Sequence, residues 1–108
     1  MNDFTTIYRI LKAFQSAMDA EAFDETMISC ERLKISENRR TRLLIQLVEN
    51  RFISGVKVKK YVDENLPTVR IGSDATITLK GLEYLEDNSL MKKAANIIKE
   101  VKEMAPGL

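Results

Sequence analysis

An α+β fold, with helices on both sides of one β-hairpin, is what the amino-acid sequence predicts. Apolar residues recur at helical spacing through the first half of the chain, the period changes from 3.6 to 2 just after Ile53, and helical spacing returns from Ile77. A chain of 108 residues has room for one domain around one modest core.

The first helix is expected over residues 3–19. Asp3 is placed to cap it, Phe4, Ile7, Leu11, Phe14 and Met18 form its apolar stripe, and Tyr8 and Ile10 widen that stripe. The acidic stretch Asp19–Glu25 interrupts the pattern. Asp24 is then placed to cap a short second helix running through Met27, Ile28 and Leu33. A tight connection, Leu33–Ser36, leads into a long helix over Ser36–Ile53 with Ser36 as its N-cap. Its two faces differ sharply. Leu43, Leu44, Leu47 and Val48 share one side with Ile45 at the edge, while Asn38, Arg39, Arg42, Gln46 and Glu49 share the other. Two helices joined by a short turn, the second carrying polar readers outward, form the helix-turn-helix pattern, although this turn contains no glycine.

Beyond Ile53, Val56 and Val58 alternate with Lys57 and Lys59, as on a half-buried strand. The polar turn DENLP follows, and then a second extended run, TVRIG, in which Val69 and Ile71 flank Arg70. Ser73 and Asp74 are expected to turn the chain into a helix over Ile77–Leu85. Thr78 is its cap, Leu79, Leu82 and Leu85 face inward, and Tyr84 lies beside them. Gly81 in the first turn costs about 1 kcal/mol in helix propensity against alanine, so it implies close packing against a neighbouring element. A break at Asp87–Ser89 precedes a last helix to Met104, whose stripe is Leu90, Ala94, Ile97, Ile98, Val101 and Met104.

Composition narrows the function. There is no histidine, which removes the commonest general base and the commonest metal ligand. There is no Gly-rich phosphate loop either. No catalytic residue, cofactor or metal site is therefore expected, and the chain does not read as an enzyme. Cys30, the one cysteine, rules out an intrachain disulfide and is expected to be a small core residue. No apolar run approaches the roughly 18 residues of a membrane span, and the first residues lack the basic and apolar regions of a leader. A cytoplasmic protein with no membrane partner is the expectation.

The charge distribution points further. Residues 32–60 hold nine basic residues against two acidic ones, a net charge of +7, whereas the rest of the chain carries −6. One basic surface on an otherwise acidic body is an electrostatic footprint for nucleic acid. Asn, Arg and Gln are also the side chains that bond base edges bidentately in the major groove.

The order of elements, with ITLKGLEYLEDN directly after the hairpin, resembles a winged-helix domain. The pattern T-x-K-G-x-x-Y-L, carried here by Thr78, Lys80, Gly81, Tyr84 and Leu85, is similar to one found after the wing in many bacterial winged-helix regulators. More narrowly, the chain resembles the YjcQ-like family of small phage and Gram-positive bacterial proteins, from YRILKAF through SENRRTRLLIQLVENRFISGV to the final helix. It departs from the usual spacing by a longer acidic link, Asp19–Asp24.

The resemblance implies a winged helix-turn-helix with a three-helix core, a β-hairpin wing and additional C-terminal helices. Residues 1–88 would form that domain, and 89–108 an amphipathic helix packed on it or on the mate in a homodimer. It implies a prophage or bacterial transcriptional regulator that binds double-stranded DNA, with residues 36–51 as recognition helix and 55–72 as wing. Asn38, Arg39, Arg42 and Gln46 would read bases. Arg40, nearer the apolar side, and Lys57, Lys59, Lys60 and Arg70 of the wing would contact the backbone. The alternative is a winged-helix module that binds proteins and not DNA, because fold does not determine function.

Overall fold

Asn2, and not Asp3, starts the first helix: its side-chain oxygen accepts from the Thr5 amide at 2.8 Å. The structure is a computed structural model that describes residues 2–88. α1 runs over Asp3–Ser16, and one 3₁₀ turn, Ala17–Asp19, follows it. Thr6, Ile10, Leu11 and Phe14 are its fully buried residues. Phe4 and Met18, expected on the apolar stripe, are 72% and 53% exposed, because the core covers only the middle of that face.

The second helix expected from Asp24 is divided in two. Asp24 caps a 3₁₀ turn, Glu25–Ile28, by accepting from the Thr26 hydroxyl and amide at 2.7 and 3.0 Å. Those two bonds hold its carboxyl below the usual carboxylate range. Ser29 then adopts extended backbone and caps a fresh single turn, α2 (Cys30–Leu33), accepting from the Arg32 amide. Cys30 on this turn is half-buried. Lys34 takes the left-handed conformation at φ 56° that glycine commonly supplies after a helix, which explains a tight turn without glycine. Ser36 caps α3 (Glu37–Glu49) as expected.

α3 stops four residues earlier than its apolar periodicity suggests. Arg51 is left-handed at φ 61°, its amide donates to Val48 O, and the Phe52 amide donates to Leu47 O. This is a Schellman ending, which turns Phe52 and Ile53 out of the helix and into the sheet.

β1 (Ile53–Lys59) and β2 (Thr68–Ile77) form a two-stranded antiparallel sheet. Ile53 pairs with Ile77 and Ser54 with Thr76. The register then shifts, and Val56 pairs with Ile71, Lys57 with Arg70, Val58 with Val69 and Lys59 with Thr68. Ser73 and Asp74, expected as a turn, lie instead in an irregularity within β2. Continuing the strand past them lets Ala75 and Ile77 join the core. Gly55 faces this irregularity at φ +76°, and a Cβ there would lie 2.7 Å from Ala75 Cα, so only glycine fits.

Thr78 caps α4, described over residues 79–88, by accepting from the Gly81 amide at 3.1 Å. Leu85 is buried and Leu82 partly so, and the Tyr84 ring lies against Phe52 at 5.0 Å. Leu79 is 73% exposed, contrary to expectation. It lies about 120° round the helix from Leu85 and so points away from the sheet.

The core joins Ile10, Leu11 and Phe14 of α1 to Ile28, Leu33, the α3 leucines, Ile53, Val56, Ala75, Ile77 and Leu85. Phe23, inside the acidic stretch, completes it by stacking on Phe14 at 4.3 Å. The last helix expected over 89–104, and the homodimer contact assigned to it, lie outside the described residues.

Candidate nucleic-acid interface

α3 is fastened to the body through Leu43, Leu44 and Leu47, all 9% exposed or less. That fixes which way its other side faces. Asn38, Arg39, Arg42 and Gln46 are all exposed on it. Asn38, Arg39 and Arg42 line an open depression of about 390 Å³ together with Asp3, Ser36 and Leu43. Gln46 lies farther along the helix and outside that depression.

Two of the α3 arginines have intramolecular partners. Arg39 Nη1 donates to Asp3 Oδ1 at the start of α1, in an ion pair whose side chains are both about half exposed. Arg40 differs from the expected backbone contact. It sits in the buried sector of α3, half-buried, and its Nε donates to Ile28 O at 2.6 Å. Its guanidinium thereby ties α3 to the segment that enters α2 and satisfies a carbonyl left open by the end of the 3₁₀ turn.

On the hairpin, the ladder puts Lys57 directly opposite Arg70 and Lys59 opposite Thr68, all four exposed on one face. Like charges directly across a ladder disfavour one another, so this pair concentrates positive charge on the hairpin at some cost to it. Lys57 and Arg70, with Gly72, Ser73 and Asp74, line a second open depression of about 500 Å³. Lys60 is exposed just past the end of β1, and Lys59 Nζ lies 5.2 Å from the centre of the Tyr61 ring. Val58 shares the face of Val56 but is 38% exposed, because the hairpin extends beyond the core there.

Asp3 is the participant whose ionic partner the sequence does not reveal. It was expected as a helix cap, and nothing local could pair it with a residue 36 positions away.

The family model described as YjcQ protein matches residues 8–104. The chain belongs to the YjcQ family. No curated protein and no solved structure matches it. The YjcQ match covers α2, α3 and both strands, hence every residue of the two basic surfaces, while Asp3 precedes it. Among the described residues of this YjcQ family protein, no helix is long and apolar enough to cross a membrane. Nor do its described Cys, Asp and Glu residues form a group of three that could hold a metal ion.

Proposed function

We propose that this YjcQ family protein is a winged-helix DNA-binding protein, a bacterial or prophage transcriptional regulator. In this reading α1, α2 and α3 are the three-helix core, α3 enters the major groove and β1–β2 is the wing. The observation that carries it is the exposure of Asn38, Arg39, Arg42 and Gln46 on one side of a helix whose other side is anchored by buried leucines. Such a helix presents its readers in a fixed register, as base recognition requires. Lys57, Lys59, Lys60 and Arg70 supply the charge for backbone contacts. Arg40 is left out of the contact set because its guanidinium serves the fold.

The test is titration of the protein with mixed genomic fragments at low and moderate salt, followed by sequencing of the retained fragments. Salt-dependent binding with enrichment of a common sequence supports the reading. Salt-dependent binding without enrichment keeps DNA and removes base reading. Absence of salt-dependent binding rejects DNA. It leaves a protein-interaction module, which is favoured by the fully exposed Val62 beside half-exposed Tyr61 at the hairpin tip.

A further inference from the structure

Among the four proposed base readers, Arg39 alone has a side-chain partner among the described residues, and that partner is an acid on a different helix. Asp3 lines the same depression as Asn38, Arg39 and Arg42. It is thus a negative charge set into the surface proposed to meet a polyanion. The fold has little need of it: Asn2 supplies the cap of α1, and a half-exposed ion pair adds little to stability.

We propose that Asp3 is a specificity-determining residue that acts through Arg39, an inference that rests on the DNA-binding reading above. Paired with Asp3, the Arg39 guanidinium presents no net charge to a phosphate. Binding to random DNA rests on charge alone, so it loses one cation. Asp3 engages only Nη1 of Arg39, so the Nε and Nη2 edge of the fork remains to bond guanine O6 and N7 in their fixed geometry without breaking the pair. Asp3 therefore weakens binding to any sequence, and weakens random binding more.

The experiment compares the unchanged protein with Asp3→Asn, Asp3→Glu, Arg39→Ala and the Asp3→Asn/Arg39→Ala double variant. Each is titrated with a selected site and a scrambled one at several salt concentrations, and melting curves establish that all are folded. Asp3→Asn is expected to tighten scrambled DNA several-fold and the selected site less. The salt slope on scrambled DNA should steepen by about 0.9, one added phosphate contact. Asp3→Glu keeps the charge and should behave as the unchanged protein. In the Arg39→Ala background, Asp3→Asn should no longer alter the slope, because the coupling runs through Arg39. Equal gains on both sequences, or no gain on scrambled DNA, overturn the role of Asp3 while leaving DNA binding intact. If the unchanged protein shows no salt-dependent binding, the inference falls with the reading it rests on.

Discussion

Two of the three arginines in the first half of α3 are held by the protein itself, Arg39 by Asp3 and Arg40 by Ile28 O. On the hairpin, Lys57 and Arg70 stand opposite one another, and neither side chain has a hydrogen-bond or ion-pair partner among the described residues. The supports differ in the same way. α3 is backed by three buried leucines, whereas the outer half of the hairpin exposes Val58 as well as its lysines. A basic side chain on a braced helix keeps its direction, which suits a directional partner such as a base edge. A cation on a projecting ladder supplies charge with little directional demand, which suits a phosphate.

The largest way to break this comparison is at the joint between the two regions. Phe52 O lies just past the end of α3, accepts from the Thr78 amide at 3.0 Å, and would lie 2.3 Å from a Cβ placed on Gly81. Gly81→Leu is expected to destabilise the fold by about 1–3 kcal/mol through overpacking, despite the better helix propensity of leucine. Chemical denaturation measures it, and an unchanged or raised midpoint would remove the packing role of the glycine.

Next in size is the braced helix. Arg42→Ala should weaken binding to a preferred site by roughly 1–3 kcal/mol and to scrambled DNA far less. Equal losses on the two sequences would take base reading away from α3. On the hairpin, Lys59→Ala should weaken all DNA about equally and reduce the magnitude of the log–log salt slope by about 0.9. A sequence-selective loss there would mean that the two regions do not divide the work.

The smallest effect concerns how α3 ends. Arg51 holds a left-handed conformation that disfavours an L-residue by about 1–2 kcal/mol, while glycine adds about 0.5–1 kcal/mol of chain entropy to be lost on folding. Arg51→Gly is therefore expected to raise stability, by about 1.5 kcal/mol at most, read as an upward shift in melting temperature. A lowered melting temperature would show that the arginine side chain contributes packing that outweighs its backbone strain.

Much of this arrangement was legible in the residues alone. α3 was, because its leucines repeat at helical spacing and Ser36 stands one residue before it. The alternation of Val56, Lys57, Val58 and Lys59 gave the strand and its basic face, and Gly81 gave the close contact. The end of α3 was not legible, because its stop signal is Arg51 in a conformation usually marked by glycine. Phe23 was hidden by its acidic neighbours, although its ring stacks on Phe14. The exposure of Phe4 and Leu79 depends on where the core stops, which periodicity along one helix does not report. In the candidate site, the outward residues of α3 followed from the inward ones. The Asp3–Arg39 pair depends on how α1 and α3 meet, and so does the inward turn of Arg40 toward Ile28 on its α2-proximal segment.

The irregularity opposite Gly55 bears on how the hairpin tolerates changes in length. Between the pairs Ser54–Thr76 and Val56–Ile71 there is one residue on β1 and there are four on β2. The inner ladder, which places Ile53 and Ile77 in the core, is thus uncoupled in parity from the outer ladder that displays Lys57 and Arg70. Losing or gaining a residue among 72–74 alters the slack between the ladders and leaves the outer alternation intact. Losing one between 56 and 59 exchanges valines for lysines on both faces at once, because side-chain direction along a strand alternates with every residue. The charged face of the hairpin is therefore insulated from insertions and deletions at 72–74 and fully exposed to them within the outer part of either strand.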